Sequence, residues 1–348
     1  MSEVGTDYTL HEGDAGRDRD ALLTVWHGSL GTDAAMRAKY DWFYLACPHG
    51  PPLIRLLRHV PSGAWVGTCT AGARHMLLDG RPLVARLLAD LAVVPTHRSL
   101  GPALAMQRAL LSAAVESSGL AYGFPNPKAV AMVRHAGAGR IADMVRYVRV
   151  LRHGPYLQRR MSTPATALAG AWLDITQRVR ESLRRLLDGR DIASAWSKHA
   201  DARMDALWQA SAPATGWTAI RDAEHLRWRF DAAPAAAMRY LCVMRGQTLC
   251  AWFAARMSGS TLQVMDFWSL ESMDGMRTAW IRQLLHAARV AGAATVSVEI
   301  ATGARQLRGW RGCGFVERGR RPVHGLARAG IGFGPATEYL LTAADEDE

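Results

Sequence analysis

Hydrophobic and polar positions alternate in short runs along the chain, and these runs occur in two series with the same order. Each series has two strand-like runs, a strand with an internal Asp, a long helical run, another strand and a short helix ending at Gly. The strands and short helices of the first series are residues 53–58, 64–69, 88–94, 120–124 and 130–137. Those of the second are residues 240–244, 248–253, 264–268, 295–300 and 306–314. The repeated order predicts that one fold is present twice.

A Trp-to-Pro segment precedes each series. Trp42 and Pro48 are six residues apart, as are Trp228 and Pro234, and an aromatic residue follows each Trp within two places. Large aromatic side chains are mostly buried in folded proteins. We therefore expect each Trp to be a packing anchor within its own copy.

Proline and arginine residues between the two series predict a linker over residues 153–164, followed by a helical run over residues 165–187. We accordingly predict an α/β protein of two tandem domains, residues 1–155 and 156–345. Each domain is expected to be a mixed, mostly antiparallel sheet flanked by helices.

Composition fits this organisation, because 348 residues are enough for two cores and 49% of them are hydrophobic. The net charge is +11, and it comes from Arg spread along the whole chain. Such a surplus suits an anionic ligand, or simply solubility; nucleic acid is not expected, since no nucleic-acid-binding motif is present.

The five Cys lack metal-ligand spacing. With neither a signal peptide nor a membrane span in the pattern, we expect a cytoplasmic protein with a frayed acidic tail at residues 345–348.

One stretch of the first series combines a strand end, a polar turn and a helix start. Backbone N–H groups at a helix start attract anions, a Gly lets the chain approach a phosphate closely, and an Arg adds a charged donor. The stretch predicts a site for a phosphate-bearing cofactor formed by Leu91, Ala92, Val93, Val94, His97, Arg98, Ser99, Leu100, Gly101, Pro102 and Ala103. Pro102 is expected at the first position of a helix over residues 103–118.

These residues carry a resemblance to a known family. Arg98-Ser-Leu-Gly101-Pro-Ala103 resembles the Arg-x-x-Gly-x-Gly/Ala pyrophosphate loop of the GNAT N-acetyltransferase superfamily. Asn126-Pro-Lys-Ala129 resembles the Asn-x-x-Ala stretch of that family, and Gly314-Phe315 its Gly-Phe ending. The Trp-to-Pro segments are similar to those of bacterial proteins with two such domains.

The resemblance implies an N-acyltransferase that transfers an acetyl or other acyl group from acyl-CoA to an amine by direct attack in a ternary complex. Acetyl-CoA or another acyl-CoA would be the co-substrate, with no metal. The loop would hold the pyrophosphate, the strand of residues 91–94 the pantetheine arm, and Asn126 would lie near the thiol. The acceptor is expected to be a small amine, with an amino sugar as one candidate taken from similar proteins.

The chain departs from the family pattern at the general acid, because Val133 stands where the family often has Tyr. Tyr147 or Tyr122 could serve instead. Asp90 is the first candidate for the base, but Asp266 recurs in the second copy, where no cofactor loop is present, and this favours a structural role for both.

The second copy has Glu271 and Asp274 where the first has its loop, and their charge disfavours an anion there. We expect this copy to have lost CoA binding. Two other functions stay open. One is a tRNA-dependent aminoacyl transferase of peptidoglycan type, which the positive charge would suit. The other is a non-catalytic CoA-binding protein, which the missing Tyr would suit.

Overall fold

The computed structural model describes residues 7–152, 191–234, 237–331 and 337–347. The expected linker, the helical run after it and the boundary at residues 155 and 156 lie outside the described residues. The division into two domains therefore stays a prediction. We call residues 7–152 the first half and residues 191–347 the second half.

The first half contains six strands and four α-helices. In chain order they are β1 (Tyr8–Gly13), α1 (Arg19–Trp26), α2 (Asp33–Lys39), β2 (Leu53–His59), β3 (Trp65–Leu78), β4 (Arg81–Val93), α3 (Leu100–Ser118), β5 (Leu120–Gly123), α4 (Val130–His135) and β6 (Gly139–Val150). A π-helical turn, Tyr40–Leu45, follows α2, and a 3₁₀ turn, Pro95–His97, follows β4.

The described part of the second half contains eight strands and four α-helices. They are β7 (Ile192–Ser197), α5 (Ala202–Ser211), β8 (Trp217–Ala219), α6 (Ala223–Leu226), β9 (Arg239–Arg245), β10 (Thr248–Ser258), β11 (Thr261–Ser269), α7 (Thr278–Val290), β12 (Thr295–Thr302), α8 (Arg308–Gly312), β13 (Val316–Ala327) and β14 (Tyr339–Thr342). A π-helical turn, Arg227–Asp231, follows α6, and 3₁₀ turns occur at Ser272–Asp274 and Ala343–Asp345.

The strands and helices expected in both series are present, but β3 and β4 are longer than expected, and α3 starts earlier. This helix begins at Leu100, and Ser99 is its extended N-cap residue. Pro102 is therefore the third helical residue and not the first. The position still suits proline, because the first four N–H groups of a helix have no intrahelical acceptor.

One sheet of fourteen strands joins the two halves, and two of its strands are exchanged between them. Strand β13 of the second half pairs with β5 of the first, and β6 of the first half pairs with β12 of the second. These two strands also pair with each other. The parallel pairs β4·β5 and β11·β12 occupy equivalent places on either side of the exchange.

Eight of the strands close into a ring. Strand β8 pairs with β3 on one side and with β14 on the other, and β14 pairs with β12. The ring continues through β6, β13, β5 and β4 back to β3. Its apolar filling comes from both halves and includes Leu87, Tyr122, Met144, Trp217 and Leu341. Neither half fills the ring alone, so the two depend on each other for this core.

Helix α3 packs on the strands that precede it. Its residues Met106, Leu110 and Ala114 are buried against Leu57 and Val66 in one cluster. This packing fixes the start of α3 next to the end of β4.

Candidate functional site

The start of α3 has the features of an anion site. Ser99 has extended backbone angles, and its side chain makes no capping hydrogen bond, so the first amides of the helix have no side-chain cap. A Cβ added at Gly101 would meet no atom within 4 Å. The surface beside this glycine is therefore open to a ligand.

Two basic side chains of this loop have protein partners. Arg98 donates through Nε to the carbonyl oxygen of Val93 at 2.9 Å and through Nη2 to Ser29 Oγ at 3.2 Å. His97 shares a hydrogen bond of 3.1 Å with the Tyr8 hydroxyl. Arg98 thus fixes the turn that connects β4 to α3.

Strand β4 leaves its parallel neighbour shortly before this loop. It pairs with β5 only at Arg86 and Leu87. Residues 88–93, which include Leu91, Ala92 and Val93, continue along β3 on one side. On the side of β5, the described residues give this stretch no strand partner, so its backbone can accept a ligand there. Val94 follows the strand, and its N–H donates to Val66.

Asp90 lies at an irregularity of β4. The pairing with β3 shifts register between Thr68 and Thr70, and the backbone of Asp90 has a φ of 50°. A non-glycine residue rarely adopts this left-handed conformation. The bulge turns the Asp90 side chain towards α2 and the π-helical turn after it.

Asp90 belongs to a buried polar network. Lys39 Nζ contacts Asp90 Oδ1 at 2.7 Å and Asp347 Oδ2 at 3.0 Å. The Tyr44 hydroxyl lies 2.8 Å from Asp90 Oδ2 and 2.8 Å from Thr70 Oγ1. The structure thus joins the candidate base to a lysine and a tyrosine.

Burial and charge shift the pKa values of this network. Burial raises the pKa of Asp90, and Lys39 opposes the shift. Burial and the Asp90 carboxylate raise the pKa of Tyr44 well above its ordinary value. Burial alone would lower the pKa of Lys39, but its two carboxylate partners raise it. Lys39 therefore stays charged and Tyr44 keeps its proton at neutral pH.

The other candidate residues lie in different surroundings. Tyr147 is 4% exposed and packs with a core cluster of the second half, on the face of β6 opposite to Arg146. The Tyr122 hydroxyl donates to the carbonyl oxygen of Asp345 at 3.3 Å. Asn126 Oδ1 accepts from two backbone N–H groups, each at 3.0 Å, just before α4. The structure brings none of the three into the hydrogen-bond network of Asp90.

Two hollows lie next to the Asp90 network. A cavity of about 320 Å³ is lined by residues that include Trp26, Trp42, Lys39, Asp90 and Asp347. A larger cleft of about 820 Å³ extends over the exchanged strands, and its lining includes Asn126, Arg146, Arg256, Arg320, Arg321, Glu299, Glu346 and Asp347. Asp347 lines both hollows, so the segment that carries it separates them.

Residues 345–347 are not a frayed tail, contrary to the expectation from sequence. Asp345 is 1% exposed and contacts Arg221 Nη2 at 3.0 Å. Glu346 forms an ion pair with Arg321. Burial raises the pKa of Glu346 to about 7, although Arg321 opposes the shift. The carboxylates of this segment are paired with cations of the protein, namely the buried Arg221 and the partly buried Arg321 and Lys39.

The second half has ion pairs at the equivalent places. Asp266, on the strand that matches β4, accepts from Arg221 Nε at 2.9 Å, and both side chains are fully buried. Glu271 pairs with Arg277, and Asp274 pairs with Arg305, around a hollow of about 260 Å³. Protein cations thus neutralise both of the acidic residues that were expected to repel a phosphate.

Neither Lys39 nor Tyr44 was predicted from the sequence as a site residue. Both belong to the Trp-to-Pro segment around Trp42, and their polar atoms meet Asp90 across the fold. A comparison of the two Trp-to-Pro regions could have found them. When Trp42 is aligned with Trp228, Lys39 and Tyr44 are matched by His225 and Phe230, so the lysine and the tyrosine occur in the first copy alone.

No family model matches the sequence, and no curated protein matches it. Solved structures do resemble the fold. A GCN5-related N-acetyltransferase from Kribbella flavida matches with a TM-score of 0.60 and 13% identity, over 92% of this chain and 71% of that one. One from Anabaena variabilis matches with a TM-score of 0.60 and 9% identity, over 91% and 72%. A conserved protein of unknown function from Enterococcus faecalis matches with a TM-score of 0.62 and 10% identity, over 92% and 72%.

The chain has the GCN5-related N-acetyltransferase (GNAT) fold. Because the identities are low, the likeness concerns the fold alone. Within the described residues, no helix combines the length and apolar character needed to cross a membrane. The same residues include no group of three potential metal ligands.

Proposed function

We propose that the protein is an N-acyltransferase that transfers an acetyl or other acyl group from acyl-CoA to a small amine, by direct attack in a ternary complex. The observation that carries the proposal is available backbone in two neighbouring places. One is the edge of β4 that β5 leaves uncovered after Leu87, and the other is the uncapped start of α3, next to Gly101. The acetyltransferase names of the structures with this fold support it.

The available backbone fits the two chemical parts of coenzyme A. The first amides of α3 suit the pyrophosphate, because they are uncapped and Gly101 leaves the approach open. The edge of β4 at Leu91 and Ala92 and the N–H of Val93, which have no strand partner among the described residues on the side of β5, suit the amides of the pantetheine arm. The carbonyl of Val93 already accepts from Arg98. Bound there, acyl-CoA would supply an activated thioester. Arg98 would keep the loop in position through its bond to Val93.

The acceptor would enter through the hollows beside Asp90. An amine must lose a proton to attack, and the thiolate that leaves must gain one. We propose Tyr44 as the proton donor in place of Tyr147, because its hydroxyl retains its proton and lies 2.8 Å from Asp90. Asp90 would orient that hydroxyl. Because it lies at the β4 bulge and lines the 320 Å³ cavity, it is also the candidate base.

The test combines two measurements on the wild-type protein. Calorimetry with acetyl-CoA should show binding at one site, and a free-thiol assay over a panel of amines should show thiol release that depends on an amine. Binding without thiol release would favour the non-catalytic alternative. Absence of binding would refute the proposal, and transfer that requires charged tRNA would favour the aminoacyl transferase.

A further inference from the structure

Residues 344–347 form a segment whose last two side chains each complete a three-member ion cluster. Lys39 Nζ lies between Asp90 of the sheet and Asp347 of the segment, at 2.7 and 3.0 Å. Arg321 Nη2 likewise lies between Glu299 of the sheet, at 2.7 Å, and Glu346 of the segment. In both clusters one carboxylate is fixed on a strand and the other belongs to the segment.

Two buried guanidinium groups contact the same segment. Arg229 donates to the carbonyl oxygens of Ala344, at 2.8 Å, and Glu346, at 3.2 Å. Arg74 lies 3.5 Å from the carbonyl oxygen of Glu346. Arg74 and Arg229 are only 1% and 3% exposed, and burial together with Arg74 lowers the pKa of Arg229 to about 10. Positive charge is therefore concentrated where the segment lies.

The segment divides into an anchored turn and two following residues whose side chains contact cations. Asp345 completes a capping box with Thr342 and pairs with the buried Arg221. Glu346 and Asp347 follow this turn, and their described side-chain contacts are those with Arg321 and Lys39. These two side chains can turn away from Arg321 and Lys39 without unfolding the turn before them.

We propose that Lys39 and Arg321, beside the buried guanidinium groups of Arg74 and Arg229, form a binding site for a carboxylate-bearing amine acceptor, and that the side chains of Glu346 and Asp347 occupy this site in the ligand-free protein. An acceptor with two carboxylates would replace the two side chains charge for charge. The assignment of this ligand as the acceptor rests on the proposed acyltransferase function. The carboxylate site itself does not.

The location supports this assignment. Asp347 lines both the 320 Å³ cavity and the 820 Å³ cleft. Departure of the two side chains would therefore join the hollows beside Asp90. Lys39 and Arg321 would each lose one of their two carboxylate partners, so a ligand with two carboxylates is the best electrostatic match.

The first test measures carboxylate binding without any acyl transfer. Glutarate is titrated calorimetrically into the wild type, into E346Q/D347N and into the control E116Q/D191N, which removes two exposed charges outside the segment. An internal competitor at high effective concentration weakens an external ligand. We expect E346Q/D347N to bind glutarate at least tenfold more tightly than the other two proteins. Adding Arg321→Gln to E346Q/D347N should abolish most of the gain.

Equal glutarate affinity in E346Q/D347N and E116Q/D191N would overturn the proposal, provided that both melt cooperatively. If E346Q/D347N keeps its higher glutarate affinity after Arg321→Gln is added, Arg321 is not part of the site and the assigned location is wrong. If glutarate binds as expected and acetyl-CoA does not bind, the carboxylate site stands and the acyltransferase function fails.

The second test concerns the acceptor. Glutamate, 4-aminobutyrate and butylamine are primary amines that carry two, one and no carboxylates. With acetyl-CoA and the E346Q/D347N protein, kcat/KM from thiol release should fall in that order. The same value for all three amines would show that the site does not select the acceptor.

Discussion

Trp42 and Trp228 lie ring against ring, with centroids 5.2 Å apart and planes 20° from parallel. Each indole N–H donates to the backbone carbonyl of the other residue, at 2.7 and 3.1 Å. Arg229 lies over the ring of Trp42, and Arg74 over the ring of Trp228. The sequence predicts one anchor within each copy, but the structure shows that the two anchors hold the halves to each other.

This pair predicts that the halves unfold together. Trp42→Phe keeps an aromatic ring but removes the donor to the buried carbonyl of Trp228, and Trp228→Phe does the reverse. We expect each variant to lose about 1–3 kcal/mol of unfolding free energy, because a buried carbonyl is left unpaired. Urea unfolding followed by tryptophan fluorescence and by circular dichroism should show one coincident transition.

Trp65→Phe is the matched control, since Trp65 lies outside this pair. It should change the free energy of unfolding by less than about 1 kcal/mol. Two separated transitions in the wild type would contradict the interdependence that the exchanged strands β6 and β13 indicate.

The loop that precedes α3 gives the second prediction. Gly101→Glu places a carboxylate beside the uncapped amides, where it would compete with and repel a pyrophosphate. We expect the affinity for acetyl-CoA to fall at least a hundredfold. Gly139→Glu is the control, because Gly139 also has open space around its Cβ and a φ outside the left-handed region. Calorimetry with both variants tests this, and equal affinities would exclude the loop as the pyrophosphate site.

The sequence predicted the elements well and their connections poorly. Periodicity located β2, β5 and α4 to within a few residues, because those elements have a short-range pattern of buried and exposed positions. The exchange of β6 and β13 and the closing of the ring by β8 could not be predicted. They depend on pairing between segments far apart in the chain, which a local pattern does not encode.

In the candidate site, too, contacts between residues far apart in the chain could not be predicted. The loop after β4 has a local motif, which predicted a helix there, and the structure has that helix with an earlier first residue, Leu100. Lys39 and Tyr44 reach Asp90 from about fifty residues away along the chain. Their role depends on the bulge in β4 that turns the Asp90 side chain towards them, and no spacing rule reveals such a contact.

Tyr44 gives the third prediction. Tyr44→Phe removes the hydroxyl that contacts Asp90 and Thr70, and it preserves the ring that stacks on Tyr40. If Tyr44 is the proton donor, kcat for thiol release should fall at least tenfold while the affinity for acetyl-CoA is unchanged. Tyr147→Phe serves as the control and should change kcat by less than about threefold. The reverse order of effects would return the role to Tyr147.

The Arg221 cluster gives the fourth prediction. Arg221 contacts Asp266 and Asp345, and all three side chains are at most 1% exposed. Arg221→Met would leave two carboxylates buried without a cation, so we expect a loss of about 3–5 kcal/mol in unfolding free energy. Arg203→Met removes the exposed partner of Asp201 and should cost less than about 1 kcal/mol. Urea unfolding of both variants at pH 7 measures the difference, and similar losses would contradict a structural role for the cluster.

A buried histidine pair that also joins the halves gives the last prediction. His49 Nε2 lies 3.0 Å from His225 Nδ1, and the other nitrogen of each ring has no hydrogen-bond partner among the described residues. Burial, followed by the nearby Arg74, lowers the pKa of His49 to about 3, and burial lowers that of His225 well below its ordinary value. Both rings are therefore neutral in the folded protein, whereas in the unfolded chain they bind protons below about pH 6.5.

The unfolded state holds more protons between pH 6.5 and about 3, so the contribution of the pair to stability is complete above that window and is lost as the pH falls through it. At pH 5 the cost should be about 2 kcal/mol for each histidine relative to pH 7.5. His49→Gln should reduce the pH dependence of the unfolding free energy by that amount, and His11→Gln, at an exposed position, should leave it unchanged. Equal slopes in the three proteins would show that the pair does not titrate on unfolding.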